Sequence, residues 1–374
     1  SDLSRIAPGL LEVGKPLPWP VYDEHGSLLV SQGFVLQNET QLEKLYERGR
    51  YVPPHRLAER LKGKGDSETP RASPFAEYPL LLYELESVLE SVVNARPESE
   101  SRVEHLARRL HNLCAYDTDA CIALVHVYAI EPSAYEQQVF YAIICWLAAH
   151  HFQLNEQRTL TLLKAALTAN IALLPFLDTL NRSNKTLSDE QRVVIQKHPV
   201  LGAQALGKAG FESSTCRTIV EQHHERFDGQ GYPGGLSGDD ILVEAKVLGL
   251  AERYTAMITK RAYRDRFRAD HAQAEIQESM AEDPHQIVYN AVFRELTPYP
   301  PGVLVVLNNS ETAMITHRRS GSRSAVAQAL FNSQGKRYLG PLKRDTSEEA
   351  YQIHKTLTPN MLPSVNLALM WGYG

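Results

Sequence analysis

The sequence predicts a mainly α protein: a helical bundle with a small β-rich N-terminal module and a small β-containing C-terminal lobe. Three observations predict this. In PLLLYELESVLESVVNA, RVEHLARRLHNLCA and YEQQVFYAIICWLAAHHF, apolar residues recur at three- and four-residue spacing, the period of a helix with one buried face. Before them, VGKPLPWPVYDEHGSLLVSQGFVL is broken by turn residues and reads as short strands. After Pro298, YPPGVLVVLNNSETAMITHR alternates and turns like a hairpin. A chain of 374 residues is too long for one compact core. The expected division is a module over 1–60, a linker over 61–76, a helical domain over 77–296 and an α/β extension over 297–374.

The elements follow in order. Asp23 to Gly26 forms a turn between two N-terminal strands, and a second turn falls at Gln32-Gly33. NETQLEKLYERGRYV reads as a helix that Asn38 or Thr40 can cap, with Gly49 near its end. LKGKGDSETPRASP is polar and rich in Gly, Ser and Pro, which marks a linker. SDEQRVVIQKHPVLGAQAL opens with Ser188 as N-cap and Gln191 at the capping-box position. In the C-terminal lobe, Val303 to Leu307 and Ala313 to Thr316 are the expected strands around Asn-Asn-Ser.

Bulk properties narrow the function classes. Hydrophobic residues make up 43% of the chain and the net charge is −5. That balance argues against a nucleic-acid polymer as partner, but not against a small nucleotide in a local basic pocket. Cys114, Cys121, Cys145 and Cys216 are far apart with no CxxC pair, so zinc ribbons and thioredoxin-like chemistry are excluded. Buried free thiols in a reducing compartment are expected. No apolar run approaches 18 residues and no signal-peptide pattern opens the chain, so the expectation is a cytoplasmic protein without a membrane span.

The chemistry concentrates in HHERFDGQGYPGG, residues 223 to 235. The preceding STCRTIVEQ reads as a helix continuing into the histidines. Adjacent helical residues point about 100° apart, so His223 and His224 would serve two neighbouring metals, or one would bind metal while the other faces a ligand. Polar helix-end histidines are the plain alternative. The eight residues DGQGYPGG hold four glycines, a tyrosine and a proline, more than a simple turn needs. A shaped loop is expected.

HHERFDGQGYPGGLSGDDI resembles the signature of the HD-GYP family, HHExxDGxGYPxGLxGxxI. The similarity continues through KVLGLAERYTAMITKRAYR and includes His198-Pro199; it spans roughly residues 115 to 290. It implies that the bundle is an HD-type helical bundle, a metal-dependent phosphodiesterase that acts on cyclic di-GMP in bacterial signalling. The first half of the family's site is rewritten here. Its His-Asp pair falls on Ala169 and Asn170, and a nearby lysine on Leu173. An upstream histidine falls on Gln137 and a glutamate near Ser133. In the stretch after the loop, one family aspartate falls on Glu252 and a second acid on Thr255. His198, His223, His224 and Glu252 remain as metal ligands. They suit no metal at all or a single divalent ion (Fe, Mn, Zn or Mg).

The resemblance also implies nucleotide contacts from Lys260, Arg261, Arg264 and Tyr232, with cyclic di-GMP or pGpG as ligand. The loop residues Asp228, Gly229, Gly231, Tyr232 and Pro233 would meet a GGDEF-type or other signalling partner, and two copies of the domain would pair. The resulting expectation is a degenerate, non-catalytic nucleotide- or partner-binding protein. Two other readings stay open: a weak phosphodiesterase with a reduced metal site, and a structural adaptor.

Overall fold

The computed structural model describes residues 3–6, 11–30, 34–52, 73–176, 188–260, 265–319, 321–359, 363 and 365–373. The bulk of the described residues is helical, with one small antiparallel sheet near each end of the chain.

The N-terminal sheet has strands β1 (Ser4–Arg5), β2 (Val21–Tyr22), β3 (Leu28–Val30) and β4 (Arg50–Tyr51) in the order β1-β4-β2-β3. Gly26 supplies the left-handed backbone (φ +85°) of the Asp23–Ser27 turn, and the Asp23 carboxylate accepts from the His25 and Ser27 amides. Helix α1 (Glu39–Arg48) is capped by Asn38, whose side chain accepts from Gln41 N at 3.0 Å, and it ends at Gly49. The expected Gln32-Gly33 turn and most of the linker lie outside the described residues.

Helix α2 (Pro74–Val93) begins inside the stretch assigned to the linker. Ser73 caps it and Pro74 takes the first-turn position, where its missing N–H costs nothing. The bundle continues with α3 (Ser99–Tyr116), α4 (Thr118–Val127), α5 (Ala134–His151), α6 (Glu156–Thr168), α7 (Asp189–Lys208), α8 (Ser214–Gln222), α9 (Val243–Ile258), α10 (Ala269–Ser279) and α11 (Gln286–Leu296). Apart from the partly buried Tyr135, helix α5 is buried from Ala134 to Ala149, as expected of a helix that is apolar on nearly every side. It is the axis around which the others pack. Segment Glu156–Phe176 is long and apolar enough to cross a membrane by composition, yet 72% of its most apolar window is buried inside the fold. The four cysteines are free and buried.

The C-terminal sheet is larger than a hairpin. Strands β5 (Leu304–Leu307), β6 (Thr312–Arg318), β7 (Ala325–Phe331), β8 (Arg337–Asp345) and β9 (Ile353–Leu357) pair antiparallel in the order β8-β7-β6-β5-β9. The β5–β6 register places Leu304 opposite Met314 and Val306 opposite Thr312. One hydrophobic core runs from the bundle into this sheet, and Leu304, Met314 and Ile315 belong to it. Arg318 ties the sheet to the bundle, pairing with Asp119 at 2.7 Å and Glu295 at 2.8 Å. At Gly302 (φ +90°) a Cβ would stand 2.8 Å from Ala123 O, so the strand's approach to α4 needs glycine.

Candidate metal centre

Helix α8 stops at Gln222, so His223 and His224 do not sit on consecutive helical positions as the sequence suggested. His223 is the C-cap and His224 already belongs to the turn. Released from the helical 100° step, the two rings approach to 4.2 Å between centroids. His198 arrives from α7, its ring centroid 5.3 Å from His223 and 5.0 Å from His224. One nitrogen from each of the three histidines falls within 4.8 Å of the others. Close approach of α9 completes the site. At Gly249 a Cβ would stand 2.4 Å from His223 O, so only glycine lets α9 come close enough to present Glu252.

Hydrogen bonding fixes which nitrogens face inward. His198 Nδ1 lies 2.5 Å from Ile195 O, and His223 Nδ1 lies 2.6 Å from Val220 O. A carbonyl oxygen can only accept, so both Nδ1 atoms carry protons and the two rings turn Nε2 toward each other. Those two Nε2 atoms lie 3.4 Å apart. Glu252 Oε2 lies 3.4 Å from His223 Nε2 and 3.3 Å from His224 Nε2. Among the described residues no hydrogen bond reaches Glu252 Oε2.

Electrostatics point the same way. Burial, aided by His223, pushes His198 down to about 4, and burial with the same neighbour pushes His224 down to about 3. Burial opposes the charge on Glu252, but the facing histidines and Asn170 outweigh it and keep the carboxylate ionised. The result is a half-buried cluster in which three imidazoles and one carboxylate converge. Three histidine nitrogens and one carboxylate are a donor set that divalent transition metals accept. The residues present fit one such ion.

Asn170 acts outside that set. Buried at 1% exposure, it donates from Nδ2 to Glu252 Oε1 at 3.0 Å and orients the carboxylate. Its Oδ1 is buried with no hydrogen bond among the described residues. Ala169, fully buried, is the C-cap of α6. Leu173 packs on Ala134. Ser133 caps α5 in a reciprocal box with Glu136, and Gln137 donates to Pro132 O and accepts from the Tyr141 hydroxyl. Thr255 is buried with its hydroxyl unpaired among the described residues. These six positions bring no charge.

The loop after the histidines is built around Glu225. Its carboxylate accepts from Gly234 N at 2.5 Å and Leu236 N at 2.9 Å, so Glu225 braces the loop. Gly231 is required: a Cβ there would lie 2.4 Å from Arg226 N and 2.5 Å from Glu225 Cα. Asp228 accepts from Gln230 N and pairs with Arg226 at 2.6 Å, and Gly229 takes φ +72°. Tyr232 lies flat on His224 at 4.7 Å with 19° between the planes, while Pro233 is exposed. The loop is shaped, as its composition suggested.

Above the site lies a cleft of about 610 Å³ lined by His223, His224, Tyr232, Glu252, Arg226 and Arg253, with Lys246, Asp283 and Tyr289 at another wall. Lys260 is half-buried beyond α9 and is not part of this lining; Arg261 and Arg264 lie outside the described residues. Sequence reading had not singled out Lys246 and Arg253. The available signal was spacing, since Lys246, Gly249, Leu250, Arg253 and Ala256 fall on one helical face.

The family model described as HD domain matches residues 128–285, which hold His198, His223, His224 and Glu252. Residues 128–285 are thus similar to an HD domain. Cyclic di-GMP phosphodiesterase PdeB of Borreliella burgdorferi is 26% identical over 174 residues, 46% of this chain and 46% of that protein. A cyclic di-GMP phosphodiesterase of Vibrio cholerae is 39% identical over 98 residues, 25% of this chain and 20% of its own length. A 3'3'-cGAMP-specific phosphodiesterase of the same organism is 28% identical over 136 residues, 36% of this chain and 26% of that protein. The chain thus matches less than half the length of these curated relatives. Among solved structures, an HDG"Y"P protein from Bdellovibrio bacteriovorus has 17% identity and a TM-score of 0.47, covering 78% of this chain and 98% of that one.

Proposed function

We propose that the protein is a cyclic-dinucleotide signalling protein whose HD domain binds its ligand through one divalent cation and does not turn it over. One observation carries this reading. Ring nitrogens of His198, His223 and His224 and the carboxylate of Glu252 converge beside the cleft, while the positions resembling a second set of ligands bring no charge. The relatives' names support the ligand class, since each acts on a cyclic dinucleotide.

The chain's own residues divide the work. Ile195 O and Val220 O hold the His198 and His223 rings with Nε2 inward. Asn170 aims Glu252. Glu225 holds the loop so that Tyr232 covers the outer face of His224. A bound cation supplies Lewis acidity toward a phosphoryl oxygen. Hydrolysis by paired metals needs a second ion to stabilise the leaving oxygen. Asn170 is neutral where a bridging carboxylate would offset the repulsion between two cations, and that is why binding without turnover is the function proposed. The braced loop from Asp228 to Gly235 offers a surface to a GGDEF-type or other signalling partner.

The test is calorimetric titration of cyclic di-GMP into manganese-loaded protein, with product analysis after long incubation. Saturable heat with no linear product is expected. His223-dependent product would make the protein a weak phosphodiesterase. Neither heat nor product would overturn the reading and leave a scaffold.

A further inference from the structure

Charge in the cleft is unevenly matched. Glu225 is committed to the Gly234 and Leu236 amides, and Asp228 to Arg226. Glu252 faces the histidines and Asn170. Asp283 pairs with Lys246 at 3.2 Å and accepts from the Tyr289 hydroxyl at 2.7 Å. Arg253 is the cation left over: among the described residues it makes no ion pair within 4 Å and no hydrogen bond. It lines the cleft one residue after Glu252, on the α9 face that also carries Lys246, Gly249, Leu250 and Ala256. Burial and nearby Arg226 both disfavour its charge, and Glu275 offsets this only in part. Glu275 itself lies 3.4 Å from His271.

A half-buried guanidinium with all its donors free, beside a second arginine, calls for an anion. The planar fork matches two oxygens of a phosphate, which a lysine point charge cannot do. The cleft volume admits a nucleotide-sized ligand. From this geometry we infer that Arg253 grips a phosphate group of the ligand in the cleft, as a specificity-determining residue separate from the Lys260–Arg264 stretch. The inference rests on the cyclic-dinucleotide reading for the identity of the ligand, but not for the presence of an anion site.

Full-length wild type, Arg253→Ala and Arg253→Lys, each manganese-loaded, are titrated with cyclic di-GMP and separately with inorganic pyrophosphate. Arg253→Ala should weaken both ligands roughly 10- to 100-fold, the loss expected for charge-assisted hydrogen bonds. Lysine should restore only part, and metal content and melting temperature should stay at wild-type values, because truncation leaves no partner unsatisfied. Equal affinity in wild type and Arg253→Ala overturns the inference and leaves the parent reading intact. Arg253-dependent pyrophosphate binding without cyclic di-GMP binding keeps the anion site and overturns the parent reading. No heat from either ligand overturns both.

Discussion

The helical domain has two sides that share a fold but not a chemistry. On one side, ring nitrogens of His198, His223 and His224 and the carboxylate of Glu252 converge. On the other, Ser133, Gln137, Ala169 and Leu173 cap, bond within their own helix or pack. Neutral packing residues stabilise a helical junction without needing an ion. The difference teaches that one helical framework can hold converging polar groups on one side and capping or apolar contacts on the other.

The largest test of this contrast removes an acceptor. His223→Ala should weaken manganese or zinc binding at least about 100-fold, since even outer-shell changes at metal sites cost 10- to 100-fold. Gln137→Ala should leave metal affinity unchanged. Isothermal titration of both variants decides it, and similar losses in the two would erase the distinction between the sides.

A second test uses a histidine that serves packing. His126 is buried, with Nδ1 2.9 Å from Ile122 O and Nε2 2.9 Å from the Tyr254 hydroxyl, and burial pushes it down to about 4. The unfolded chain takes up a proton near pH 6.5 that the folded chain refuses until about pH 4. Stability is therefore fully present above pH 6.5 and falls as pH drops toward 4, by about 3 kcal/mol for this group. His198 and His224 add to the same acid loss when no metal is bound. Denaturant unfolding across that range should show a shallower slope in His126→Gln, and an unchanged slope would mean that His126 is not held neutral.

Asn170→Asp sharpens the boundary between the sides. It sets a second carboxylate against Glu252 and removes the amide donor, so the metal-free protein should lose roughly 1–3 kcal/mol. Added divalent metal should recover that loss, seen as a larger metal-induced rise in melting temperature than in wild type. The smallest expected effect is local. Glu225→Gln weakens the acceptor for Gly234 N and Leu236 N, costing roughly 1 kcal/mol. Faster amide hydrogen exchange confined to residues 228–238 would be its signature, and exchange spread through α9 would contradict the bracing role.

Much of this architecture was legible from local chemistry. Asn38 and Ser188 were recognisable as caps because capping needs only a side-chain oxygen and an amide three residues away. The β5–β6 hairpin was visible in its alternation, though not the three further strands of the sheet. The histidine pair stood out, but its convergence did not. Sequence reading carried the helix through both histidines, and helical geometry then set them apart; the helix in fact ends at Gln222. Glu225, next to the histidine pair, was assigned no role from the sequence and is a loop brace.

By itself the sequence determined the periodicity of the helices, the caps, the Gly-rich loop and the set of residues able to hold a metal. All of these are short-range properties, set by propensity, hydrogen-bonding reach and residue chemistry within a few positions. Only the tertiary structure decided which of those residues meet. Asn170 orients Glu252 across 82 positions, Gly249 lets α9 close on His223, and Arg253 is left without an ion pair among the described residues of the cleft. Pairing and burial of charge depend on which helices pack together, and packing is a property of the whole core that no short stretch of sequence contains.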